Sequence, residues 1–147
     1  LEAQRELTFG DGLFSVAISD DGRWLAGGAE PSRVLVWDLH APAQTPPLEH
    51  RLDATHSLVR HLSFSVDASK LLVSLGSDRS IHVIPLTGDG KPERLHGHED
   101  AVMAAYFDVD GYVVLSASWD RTIRAWGMVP RLRDDAPLRI EHAPGAE

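Results

Sequence analysis

HEDAVMAAYFDVDGYVVLSASWDRTIRAW, running from His98 to Trp126, is the stretch that decides the architecture of this chain. Its apolar residues come in short alternating bursts. Val102, Ala105 and Phe107 precede the turn Asp108-Val109-Asp110-Gly111; Val113 and Leu115 follow it; then come the turn Trp119-Asp120-Arg121-Thr122 and finally Ile123 and Trp126. Alternation between Asp- and Gly-containing turns predicts half-buried antiparallel strands, because successive side chains on a strand point to opposite faces. A meander this small cannot bury its faces alone, so neighbouring copies of it are expected.

Two copies lie upstream. Trp37 follows Gly22 of Ser19-Asp20-Asp21-Gly22 at a distance of 15 residues, as Trp126 follows Gly111. Between them, Ser65-Val66-Asp67-Ala68 leads to Ile84, where a Trp is expected. The turn aspartates Asp21, Asp67 and Asp110 stand 46 and 43 residues apart, against a propeller-blade period of roughly 40–45. On these residues the chain resembles the WD-repeat β-propeller family, over the span from Leu7 to Met128. The resemblance implies an all-β fold of three four-stranded antiparallel blades. The expected divisions are residues 1–8 as an outer strand completing a neighbouring blade, 9–54 as blade 1, 55–95 as blade 2, 96–141 as blade 3, and 142–147 as the start of a further repeat or a tail. Within them, Leu48–Ala54 is expected as the outer strand of blade 1.

The third repeat matches the family pattern best, through Gly97-His98, Ser116-Ala117-Ser118, Asp120 and Trp126. The resemblance implies a hydrogen-bonded chain from Trp126 through a hydroxyl and His98 to Asp120. The chemistry agrees: an indole only donates, a carboxylate only accepts, and imidazole and hydroxyl do both. Ser116 and Ser118 point to one face of the strand, and either can supply the hydroxyl. The same residue types could form a Ser-His-Asp catalytic triad, but their blade-repeat spacing and the lack of an oxyanion-hole segment favour a structural network. In the first repeat Trp37 is kept, while Phe9 and Pro31 occupy the His and Asp positions. The second keeps Asp78, places His56 one residue out of register and has Ile84 for Trp. These two repeats are expected to rely on packing.

Composition narrows the function. A net charge of −8 argues against nucleic acid and anionic membranes, since phosphate affinity rests on Lys and Arg. The 147 residues contain no cysteine, which removes disulfides and thiolate metal sites. No apolar run approaches the roughly 20 residues of a membrane span, and no signal-peptide pattern opens the chain; a soluble, cytoplasmic setting is expected. His96 and His98 lack a third ligand at a fixed offset. Asp108-Val109-Asp110-Gly111 lacks the rest of a calcium loop, and Gly88-Asp89-Gly90-Lys91 lacks phosphate-loop spacing. No catalytic residue, cofactor or metal is expected.

Binding remains. In the family, residues just before the turn Asp and early in the first strand face partners. The resemblance therefore implies protein or peptide contacts at Trp119, Ser77 and Glu30 on the turns, and at Arg60 and Met103 on the first strands. The plainer expectations are Trp119 partly packed on a neighbouring blade, and Arg60 and Arg121 in surface ion pairs. The function expected is a non-catalytic protein-interaction scaffold or sensor. The alternative is an accessory propeller segment of a larger multidomain enzyme or signalling ATPase, and a third reading is a hydrolytic propeller with its site in the central channel. Propellers close with about 4–8 blades, so three blades are expected to be part of a larger ring, completed by the same longer chain or by an oligomer.

Overall fold

The computed structural model describes residues 6–7, 12–54 and 56–129, and the backbone of 139–141. Within these, each alternating burst is a strand and each Asp/Gly cluster a turn. The strands are β1 (Leu13–Ile18), β2 (Trp24–Ala29), β3 (Arg33–Asp38), β4 (Leu48–Arg51), β5 (Val59–Phe64), β6 (Lys70–Leu75), β7 (Ile81–Pro85), β8 (Glu93–Leu95), β9 (Val102–Phe107), β10 (Val113–Ser118), β11 (Thr122–Gly127) and β12 (Arg139–Glu141). They pair in chain order into three four-stranded antiparallel sheets, β1 to β4, β5 to β8 and β9 to β12, here blades 1, 2 and 3. No helix occurs among the described residues. The outer strand expected over Leu48–Ala54 stops at Arg51, because the Leu52 N–H leaves the ladder for the Ser32 carbonyl, at 2.9 Å. The strand expected over Leu1–Thr8 lies outside the described residues except for Glu6 and Leu7, which are not in a strand. Phe9 and residues 142–147 also lie outside them.

The hairpin turns explain the periodic aspartates. Ser19 Oγ donates to Asp21 Oδ1 at 2.5 Å and accepts from the Trp24 N–H at 2.9 Å, closing the β1–β2 turn. Ser65 and Asp67 repeat this between β5 and β6, at 2.6 Å, with the Lys70 N–H on Ser65 Oγ at 3.0 Å. Between β9 and β10, Asp108 takes the serine's place and accepts from the Val113 N–H at 2.9 Å. Each turn then needs a left-handed residue, which glycine supplies without strain. Gly22 (φ 69°) and Gly111 (φ 72°) do so, whereas blade 2 forces Ala68 to φ 54°.

The blades stack through their inner strands, β5 against β1 and β9 against β5. Ala26, Val34 and Val36 of blade 1 pack with Leu62, Leu71, Val73 and Ile84 of blade 2. Leu72, Ile81 and Val83 on the other face of blade 2 pack with Val102, Ala105 and Val114 of blade 3. Gly28 permits the first contact: a Cβ there would lie 2.6 Å from Val59 Cβ. Ser63 Oγ bridges the second by donating to the Ala105 carbonyl at 2.7 Å. The same register positions fare differently at the ends. Leu72 and Ile81 are 0% exposed, whereas their counterparts on blade 3, Leu115 and Ile123, are each 46% exposed. At the other end Val16 is 71% exposed, while its counterpart in blade 2, Leu62, is 3% exposed.

Candidate functional site

Antiparallel pairing fixes which turns share an end of the blades. Leu13 pairs with Ala29, Val59 with Leu75, and Val102 with Ser118. The starts of the inner strands therefore lie beside the β2–β3, β6–β7 and β10–β11 turns, on one rim. In all three of these turns the residue after the Asp position is left-handed: Ser32 (φ 48°), Arg79 (φ 57°) and Arg121 (φ 67°).

Beneath the third turn lies a buried polar chain. Trp126 Nε1 donates to Ser116 Oγ at 2.8 Å, and Ser116 Oγ stands 2.7 Å from His98 Nε2. His98 Nδ1 in turn stands 2.7 Å from Asp120 Oδ2. Since the indole can only donate, the Ser116 proton is left for Nε2, and Nδ1–H faces the carboxylate. Asp120 also accepts from the Thr122 hydroxyl at 2.6 Å, the Thr122 N–H at 2.9 Å and the Glu99 N–H at 3.0 Å. Burial alone would raise its pKa, but hydrogen bonds from Thr122, His98 and Glu99 outweigh it and hold the carboxyl well below the usual range. Of the two candidate hydroxyls, Ser116 is the one between Trp126 and His98. Ser118 lies higher in the turn, donating to the Asp100 carbonyl at 3.0 Å and accepting from the Asp120 N–H at 3.1 Å.

The other blades fill the same space differently. In blade 2, Ile84 stands where Trp126 does, and Val73 where Ser116 does; both are fully buried. His56 is exposed, at φ 52°, and joins no network among the described residues. Asp78 is nevertheless not left to packing. It takes a hydrogen bond from Ser80 and an ion pair from Arg94 of β8, whose Nε also reaches Ser80 Oγ at 3.2 Å. The expectation of packing alone in blade 2 is thus corrected: a cation from the outer strand holds Asp78, and the His82 imidazole of β7 lies 3.6 Å from the same carboxylate. In blade 1, Trp37 lies over Gly27, where a Cβ would stand 3.1 Å from its Cζ3.

The rim residues singled out from the sequence are spread over the blades, Glu30 in blade 1, Arg60 and Ser77 in blade 2, Met103 and Trp119 in blade 3. Trp119 is 63% exposed. Glu30, Arg60 and Ser77 are exposed and Met103 is half-buried. The Arg60 side chain lies along Gly76, its Nε 3.1 Å from where a Cβ would be. Among the described residues neither Arg60 nor Arg121 forms an ion pair, contrary to the expectation of surface salt bridges. Among the described residues no three His, Cys, Asp or Glu side chains are grouped to hold a metal ion, and no helix is long and apolar enough to cross a membrane. Sequence reasoning missed three members of the turn networks. Thr122 and Ser80 each stand two residues after the turn Asp, a spacing that could have revealed them, whereas Arg94 arrives from another strand with no local signal.

Comparison with known proteins agrees with this architecture. The family model for the WD domain, G-beta repeat, matches residues 4–38 and 91–127. The chain belongs to the WD-repeat family. Protein groucho of Drosophila melanogaster is 32% identical to this WD-repeat chain over 114 residues, 78% of the chain and 15% of that protein. The small ribosomal subunit protein RACK1 of Neurospora crassa is 37% identical over 84 residues, 54% of the chain and 27% of that protein. The WD repeat and SOCS box-containing protein 1 of Takifugu rubripes is 30% identical over 105 residues, 71% of the chain and 24% of that protein. The WD-repeat chain therefore spans roughly a quarter or less of the length of these relatives. The gap between the matched stretches takes in β4 to β7, and there Ile84 and Val73 replace the polar chain.

Proposed function

We propose that this WD-repeat segment is a non-catalytic interaction platform, a scaffold or sensor whose turn rim binds peptides or domains of other proteins. The supporting observation is Trp119. Its indole is 63% exposed at a turn anchored from beneath by the hydrogen bonds of Asp120, so a large amphipathic surface is offered on a rigid mount. Exposed, pre-ordered Trp is the side chain most enriched among binding hot spots. Glu30, Ser77, Arg60 and Met103 give the same rim a mixed polar and apolar border. Hydrolysis is disfavoured by geometry. Ser116 is buried and already engaged by Trp126 and His98, so its hydroxyl has no approach for a substrate.

The end faces support a second part of the reading. Leu115 and Ile123 on blade 3, and Val16 on blade 1, occupy positions that are dry wherever a neighbouring blade is present. We assign these faces to further blades of a larger ring, in the same longer chain or in an oligomer.

Site-specific photo-crosslinking in the full-length protein tests the rim. A photoreactive residue in place of Ser77 or Arg121 should capture the same protein. Trp119→Ala should abolish that capture while leaving the melting temperature unchanged. Capture that survives Trp119→Ala, or no capture from either position, would sink the reading.

A further inference from the structure

The opposite rim carries a feature that blade architecture does not require. Ser65 to Ala68 and Asp108 to Gly111 are tight turns closed by N–H to carbonyl bonds of 2.8 and 3.0 Å. Ser65, Asp67 and Asp108 make their side-chain bonds. The second turn position contributes nothing to either, and blade 1 places Asp20 there. Blades 2 and 3 instead place Val66 and Val109 there, 52% and 76% exposed. Tyr112, 48% exposed, adds a third apolar surface where blade 1 has Arg23. These side chains flank a cleft of about 440 Å³ between the two turns, with Met128 in its wall. That volume falls within the roughly 300–1,000 Å³ of ligand clefts, and apolar side chains gathered in the open mark interaction sites.

The charges along the cleft differ in their engagement. The Asp67 carboxylate is occupied by Ser65 and by the N–H and hydroxyl of Ser69, and Lys70 stands close enough to offset its charge. Asp110 has no side-chain hydrogen bond or ion pair among the described residues and also lines the cleft. The site thus combines an apolar lining with one uncompensated carboxylate, on a chain whose net charge is −8.

We propose that this cleft docks a short segment of a partner protein in which an aliphatic or aromatic residue stands beside an arginine or lysine. The apolar side chain lies between Val66, Val109 and Tyr112, and the cation meets Asp110. This site is on the rim opposite Trp119 and does not depend on the reading given above.

The test uses four fluorescein-labelled octapeptides identical except for two central residues: Leu-Arg, Leu-Glu, Ser-Arg and Ser-Glu. Anisotropy titration against the full chain should rank Leu-Arg first, about tenfold tighter than Leu-Glu or Ser-Arg, the ratio given by about 1.4 kcal/mol. Asp110→Lys should reverse the order of Leu-Arg and Leu-Glu. Val66→Ser and Val109→Ser should weaken both Leu peptides. Trp119→Ala should leave all four unchanged. Unaltered melting temperatures would separate loss of the site from unfolding. Equal binding of the four peptides, no binding at millimolar concentration, or indifference to Asp110→Lys would overturn the proposal. So would a concentration-dependent dimer abolished by Val109→Ser, which would give the cleft to a second copy.

Discussion

Between β10 and β11 the space under the turn is filled by Trp126, Ser116 and His98, hydrogen-bonded in series down to Asp120. Between β6 and β7 the same space holds Ile84 and Val73, fully buried and with no polar side-chain atoms to satisfy. Both hairpins keep a left-handed residue after the turn Asp, Arg79 in one and Arg121 in the other. The frame therefore tolerates two solutions. One is a polar chain in which every member must find its partner; the other is aliphatic packing beneath a turn Asp that Ser80 and Arg94 hold from the side. A half-made polar chain is worse than either, since an orphaned buried group costs about 1–3 kcal/mol while a made bond contributes about 1.

Perturbing the hub of the polar solution should have the largest effect. Asp120→Ala leaves His98, Thr122 and the Glu99 N–H without their acceptor. We expect a loss of about 3–5 kcal/mol, since three buried donors lose their acceptor at about 1–3 kcal/mol each, read from urea unfolding. On the aliphatic side Ile84→Ala should cost about 3 kcal/mol as a cavity opens, and this loss should be insensitive to pH. Ser116→Ala, which orphans one indole N–H and one imidazole nitrogen, should cost about 2 kcal/mol. If Ser116→Ala is neutral, the two blades are held by the same packing and the contrast between them is lost.

Acid should separate the contributions more gently. Burial holds the imidazoles of His50, His61 and His82 below the usual histidine range. A depressed histidine contributes in full above about pH 6.5 and loses its contribution as the unfolded chain takes up protons below that. The depressed Asp120 carboxyl contributes in full above about pH 3.9 and loses its share below. Stability should be level above the first value, decline gradually beneath it and fall further beneath the second. Asp120→Asn should lessen only the last part, to which the depressed Asp67 and Asp78 carboxyls also contribute. The smallest effect is expected at Ala68. Replacing it by Gly relieves the left-handed strain and should stabilise blade 2 by about 0.5 kcal/mol or slightly more, a small rise in melting temperature.

The strands and their order were legible because Asp21, Asp67 and Asp110 mark hairpin turns at a regular interval, and because alternation survives even where Trp is lost. The polar chain of blade 3 was legible through the resemblance to the WD-repeat family, whose pattern joins Gly97-His98, Ser116-Ala117-Ser118, Asp120 and Trp126 within one repeat. What escaped reading depends on contacts between strands far apart in sequence or on backbone shape. Arg94 reaches Asp78 from the outer strand, a pairing that no spacing encodes. Ala68 and Arg79 adopt left-handed conformations without being glycine, so residue type concealed them. Val66 and Val109 were visible as turn residues, but their exposure follows only from the turn geometry. Ser116 could not be told from Ser118 until the irregular pairing beside Ser118 set the two at different heights in the turn.

Gly28 carries a consequence for any ring these blades help to form. With no side chain there, Val59 of the next blade settles directly on the backbone of β2, and this close seat helps set the tilt between the first two sheets. A methyl group at that point would act as a shim, prising the inner edges apart. In a closed circle the angles between successive blades share a fixed sum, so an extra degree opened at one seam must be surrendered at the others. A single missing carbon at this seam thus spares the others that adjustment.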